Sequence, residues 1–114
     1  DGSGLSPRNN ITPSSFTTFL NISVQHLGRE KMLSYIPQAG VSGTVSTFLQ
    51  KKKSQKKFYL KSGSMGSVLS YTGLFQGMSG KWYSICFISN NHSHGNSAVK
   101  RKAEDIFEFL YLGM

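Results

Sequence analysis

From Thr12 onward the apolar residues fall into runs of distinct period. Phe16, Phe19, Leu20, Val24 and Leu27 recur at helical spacing. Thr12 offers a hydroxyl to the first free N–H groups, Pro13 has no N–H to lose at the first helical position, and Gly28 supplies a stop. The pattern predicts a helix over 13–27. Met32, Leu33 and Ile36 then suggest a helical turn ended by Pro37, and after Gly40 and Gly43 a second short helix is expected through Val45, Phe48 and Leu49. The polar stretch 51–57 reads as a loop. Beyond it the period shortens. Phe58-Tyr59-Leu60 leads into Lys61-Ser62-Gly63, Ser70 to Gln76 is apolar and β-favouring, and Trp82 to Ile88 is the strongest strand signal in the chain. Gly77-Met78-Ser79-Gly80 between the last two reads as a hairpin turn. Asn90 to Asn96 is polar again, and Ser97 is expected to cap a final helix with Val99, Ala103, Ile106, Phe107 and Leu110 as its apolar stripe. Helices, a three-stranded antiparallel meander and a C-terminal helix packed on it make an α+β fold class.

Length limits this plan to one core, so residues 1–114 are expected to form a single and partial domain. The net charge of +8 adds less than its size suggests. Five of the thirteen basic residues, Lys51, Lys52, Lys53, Lys56 and Lys57, crowd one short stretch, and the remainder carries only +3. A lysine run of this kind is most simply a solvated loop. No Arg-rich helix or RNA-binding aromatic signature accompanies it, so nucleic acid is not favoured as a partner. Cys86 is the only cysteine, which excludes an intrachain disulfide and a cysteine-based metal cluster; its apolar surroundings predict a small buried hydrophobe. The chain opens at Asp1 without an initiator Met or an export signal, and contains no apolar run long enough to span a bilayer. It therefore reads as a processed or cut piece of something longer.

Three blocks carry a resemblance. Asp1-Gly2-Ser3-Gly4-Leu5-Ser6, followed by Arg8-Asn9-Asn10 and the Thr-Pro helix start, is the first. Ala39-Gly40-Val41-Ser42-Gly43-Thr44 is the second. Lys61-Ser62-Gly63-Ser64 with the Gly73-centred strand behind it is the third. In this order they resemble the larger low-molecular-mass D-alanyl-D-alanine carboxypeptidases, serine enzymes of the penicillin-binding class. The resemblance implies part of a β-lactamase/transpeptidase-like fold in which this chain supplies the last three of five strands. It implies a serine-type hydrolase with no metal and no organic cofactor, working outside the cytoplasmic membrane on peptidoglycan stem peptides that end in D-Ala-D-Ala. β-Lactams would be ligands of the intact enzyme. Lys61 would carry positive charge beside the substrate, and the Ser62 hydroxyl would bond its terminal carboxylate. Gly63 would allow close approach, and the Ser64 N–H would be one of two oxyanion donors.

The family's S-x-x-K and S-x-N motifs belong before Asp1 by this resemblance, so the nucleophile is expected to be missing and the chain alone inactive. Ser54-Gln55-Lys56-Lys57, Ser97-Ala98-Val99-Lys100 and Ser89-Asn90-Asn91 match the patterns, yet eighteen serines and ten lysines supply such matches by chance, and these stand in the wrong order. His92-Ser93-His94 has metal-ligand spacing but no apparent third ligand. Phe16, Phe19, Phe107, Phe109 and Trp82 read as core rather than as a binding surface. Two further expectations follow. The outer edge of the Trp82 to Ile88 strand lacks its N-terminal partner strand and should favour strand exchange, dimerisation or poor solubility. The alternative function is a non-catalytic module binding peptidoglycan, or a polyanion through the Lys51 to Lys57 loop.

Overall fold

A computed structural model describes residues 12–90 and 95–114. The first of the three blocks up to its Thr-Pro helix start and the His92-Ser93-His94 spacing lie outside the described residues. The order of elements is helix α1 (Pro13–Leu27), helix α2 (Arg29–Tyr35), a 3-10 turn (Gly43–Val45), strands β1 (Phe58–Met65), β2 (Val68–Gln76) and β3 (Trp82–Ser89), and helix α3 (Asn96–Gly113). The strands form one antiparallel sheet in the order β1-β2-β3. The α+β plan with its meander and terminal helix is the observed one.

The helix start at Thr12 forms as its side chain predicts: Ser15 N donates to Thr12 Oγ1 at 3.1 Å, with Pro13 at the first helical position. Gly28 ends α1 at φ 84° and at once serves as the N-cap of α2. The hairpin between β2 and β3 closes where the glycines bound it, with Gly77 N donating to Lys81 O at 2.9 Å. Two expectations about the helices require correction. No second short helix runs through Val45, Phe48 and Leu49. A single 3-10 turn ends at Val45, and the backbone then takes positive φ at Leu49 and Lys51, which no helix accommodates. Nor does Ser97 cap α3. The helix begins one residue earlier, and Gly95, its N-cap, has no side chain with which to cap it.

Strand alternation divides the side chains between two faces. Phe58, Leu60, Leu69, Tyr71, Phe75 and Ile85 point to α3, where Phe107 meets them. Its ring stacks on Phe58 at 5.0 Å and meets Phe48 edge-on at 5.6 Å, while Phe48 lies on Tyr71 at 4.3 Å. The opposite face is thinly covered. Its buried cluster is Leu20 of α1, Met32 of α2 and Leu74 of β2. Trp82 is half-buried at this rim with Arg29 over its ring, and Cys86 is half-buried rather than enclosed, its Sγ 3.4 Å from Thr72 Oγ1. Phe19 and Phe109, expected in the core, are 63% and 77% exposed. Gly73 is needed where β1 and β2 approach most closely, since a Cβ there would stand 1.8 Å from Tyr59 O.

The lysine stretch is not a freely solvated loop. Glu104 accepts from Leu49 N at 2.7 Å, and Glu108 accepts from Lys53 N at 2.9 Å and Ser54 N at 2.8 Å. Lys52 Nζ pairs with Asp105 at 2.9 Å. Carboxylates one turn apart on α3 thus replace the missing secondary-structure partners of a loop that carries positive φ at Leu49, Lys51 and Lys56.

Candidate active site

Sequence periodicity alone would end β1 at the Lys-Ser-Gly motif. The strand instead runs through it to Met65 and turns at Gly66, with Gly63 opposite Ser70 and Met65 opposite Val68. Lys61, Ser62, Gly63 and Ser64 are therefore consecutive residues of one edge strand. Lys61 and Gly63 face the α1 side, and Ser62 shares the α3 side with its cross-strand partner Tyr71.

The backbone of this edge is used over half its length. Ala39 N donates to Phe58 O at 2.9 Å and Leu60 N to Pro37 O at 2.8 Å, so the segment 37–39 pairs with the start of β1. These bonds fix which groups look outward. The N–H and C=O of even-numbered residues point away from β2, and the Ser62 and Ser64 groups continue that row beyond the end of the pairing segment. Among the described residues no backbone group bonds the Ser62 or Ser64 N–H. Lys61 Nζ donates to Ser62 O at 2.8 Å, which sets the ammonium beside the same edge.

On the α1 side of the motif lies an open groove of about 320 Å³. Lys61, Ser70 and Thr72 form its polar floor, and Phe16, Leu20 and Met32 are among its apolar walls. A Cβ at Gly63 would come within 2.9 Å of Ser70 Oγ, so the absence of a side chain keeps this floor open.

The second block earns a structural role of its own. Ala39 is fully buried, Gly40 and Gly43 take φ 80° and 61°, and the turn that follows carries Thr44 across to β1, where Thr44 Oγ1 hydrogen-bonds Ser62 Oγ. Sequence reading used Thr44 only as part of a pattern. The pairing of two blocks eighteen residues apart was the missed signal.

The substitute serines fare differently. Ser54 is fully buried, its N–H held by Glu108 and its Oγ without a hydrogen-bond partner, so it offers no nucleophile to a substrate. Ser97 is exposed on the first turn of α3, in a cleft with Lys51 and Lys100 separate from the Lys61 groove. Among the described residues no three His, Cys, Asp or Glu side chains gather as a metal site would require. No helix among them is long and apolar enough to cross a membrane.

What the wall can do follows from its parts. A free strand edge binds an extended peptide through its main chain, an ammonium attracts a carboxylate, and a hydroxyl donates to it. The chain is 34% identical to the penicillin-sensitive carboxypeptidase A of Dictyostelium discoideum over 106 residues, 87% of this chain and 20% of that protein. Its fold matches penicillin binding protein 4 (dacB) of Haemophilus influenzae in two crystal structures, with TM-scores of 0.82 and 0.81 and 24% identity. One of those holds a β-lactam. Each match covers 97% of this chain and only 27% or 26% of the other. The chain thus spans about a fifth to a quarter of the proteins it resembles, in the penicillin-binding, transpeptidase-like fold. The profile of the D-Ala-D-Ala carboxypeptidase 3 (S13) family matches residues 1–111, and the chain belongs to that family.

Proposed function

We propose that this chain is the C-terminal part of a serine-type D-Ala-D-Ala carboxypeptidase and forms its substrate-binding wall. Lys61 supplies charge, Ser62 a donor to the terminal carboxylate, Gly63 clearance and Ser64 an oxyanion N–H. The observation that carries the reading is the outer edge of β1, where the Ser62 and Ser64 N–H groups have no backbone partner among the described residues, beside the Lys61 ammonium and above an open groove. The nucleophile comes from a longer protein, working outside the cytoplasm on peptidoglycan stem peptides and open to acylation by β-lactams.

A fluorescent penicillin followed by a denaturing gel tests this in both directions. The chain alone is expected to remain unlabelled, and a band at 12.6 kDa would show that it holds its own nucleophile. The longer protein is expected to label, and Lys61→Ala in it to abolish labelling. The missing N-terminal portion is the natural partner of the outer edge of β3, which pairs with no further strand among the described residues. Alone, the chain is expected to form a homodimer through that edge; a monodisperse monomer in sedimentation would count against it.

A second reading, polyanion binding, has one observation in its favour. A cleft of about 420 Å³ between the lysine stretch and α3 is lined by Lys51, Lys100 and Arg101 against one carboxylate, Glu104. Steep salt dependence of binding to an anionic polymer, lost on neutralising these three cations, would support it.

A further inference from the structure

We propose that Thr44 is a positioning residue that holds the Ser62 hydroxyl in the orientation that meets the substrate carboxylate; this rests on the function proposed above. The contact between Thr44 Oγ1 and Ser62 Oγ joins an exposed residue of the 3-10 turn to a half-buried residue of β1. Serine needs such help. Without a second heavy atom on Cβ its χ1 is free among three staggered wells, whereas a β-branched residue is largely fixed by its own backbone.

Proton direction follows from donor counting. A hydroxyl has one donor and two acceptor sites, and an ionised carboxylate only accepts. When Ser62 donates its proton to the ligand, the Thr44 contact survives only with Thr44 as donor and Ser62 Oγ as acceptor. The relay then runs Thr44 O–H to Ser62 O–H to carboxylate, and each bond polarises the next. The turn is placed for this by its neighbours: Val45 is fully buried, Ser46 N donates to Gly43 O at 3.2 Å, and Gly40 N donates to Val45 O at 3.0 Å. A Cβ on Gly43 would reach 3.0 Å from Pro37, so the turn is seated against the same segment that pairs with β1.

Two measurements test the assignment, one on this chain and one on the longer protein. In the chain, Hα–Hβ couplings of Ser62 should report one dominant rotamer in the wild type and averaging in Thr44→Val, which keeps the side chain's shape and removes its hydroxyl. Averaged couplings already in the wild type, or no change in the variant, would overturn the assignment. In the longer protein, Thr44→Val should slow acylation by a penicillin about tenfold through weaker binding, with the limiting rate unchanged. Thr44→Ser should behave as wild type, and adding Ser62→Thr to Thr44→Val should restore acylation to within about threefold, because threonine fixes χ1 without a partner. A penicillin with its carboxylate esterified should be indifferent to residue 44. Equal losses for acid and ester would mean a general structural role and sink the proposal. If no penicillin acylates the longer protein, the carboxypeptidase reading fails, while the Ser62 couplings still decide what Thr44 does.

Discussion

Glu108→Gln isolates the interaction that binds the lysine stretch to α3. The native carboxylate uses one oxygen for Ser54 N at 2.8 Å and the other for Lys53 N at 2.9 Å. Glutamine preserves length but turns one acceptor into an NH2 group, so one of the two amides faces a donor. At Lys53, which is exposed, water replaces the lost bond at little cost. Ser54 is 0% exposed, so the glutamine oxygen stays on its N–H and the amino group turns to Lys53; what is lost is one exposed bond and the charge, together about 0.5–1 kcal/mol. Urea unfolding read by Trp82, the single tryptophan, should show a midpoint lower by about 0.3–0.5 M with an unchanged slope. The acid dependence gives a second arm. Burial acts to raise the Glu108 pKa, but the Ser54 side chain, the two amides and the Lys52 charge outweigh it and hold the carboxyl below its ordinary 4.5; the Ser54 Oγ helps although it is off the geometry of a full hydrogen bond. A depressed carboxylate contributes stability that is complete above about pH 4.5 and drains away as pH falls through the folded value. The gap between wild type and variant should therefore close in acid. Equal midpoints at neutral pH, or a gap that widens on acidification, would refute the account.

Gly73→Ala should destabilise the chain by about 3 kcal/mol, since its Cβ meets a backbone carbonyl 1.8 Å away that cannot move without parting β1 from β2; urea unfolding measures it, and a loss under about 0.5 kcal/mol would contradict the close approach. Tyr71 should give a late step in a spectrophotometric titration, because burial first and the Glu104 charge second push its phenol up to about 12. With the folded value raised, stability should fall as pH climbs from about 10 to about 12, and Tyr71→Phe should remove both the late absorbance change and that decline.

The sequence made most of this fold readable because its cues were local. Thr12-Pro13, Gly28 and the Gly77 to Gly80 turn each act through their own backbone, and each forms where expected. The failures share a different cause. Val45, Phe48 and Leu49 carry helix-like apolar spacing, yet Phe48 and Leu49 are buried individually while Glu104, fifty-five residues from Leu49, takes the place of a helical acceptor. No local rule contains that contact. The solvated lysine loop failed for the same reason, since its charges mark exposure of side chains while its amides are tied down. At the candidate site, the pattern named residues and left their geometry open. That Ser62 and Ser64 present their backbone outward follows only once Pro37 and Ala39 are seen pairing with Phe58 and Leu60.

The two faces of the sheet are covered unequally around the Lys61 edge. The α3 face has its own aromatic core, built of Phe48, Phe58, Tyr71, Phe75 and Phe107, and needs nothing further. The α1 face buries three residues and leaves Phe19 and Ile22 exposed at 63% and 49%. Burial on the first face holds β1 rigid from behind, and sparse cover on the second keeps the floor under Lys61 open to what must reach it. A site that packs one side of a strand and spares the other fixes the position of an edge without closing it. In the longer protein proposed above, the same apolar exposure would give the remaining portion a surface to cover. Filling the groove, by Gly63→Leu for example, should displace Ser70 on the α1 face, leave the α3 face packed and bar the edge to the proposed substrate. Preserved α3 packing with lost acylation in the longer protein would be the signature of that division.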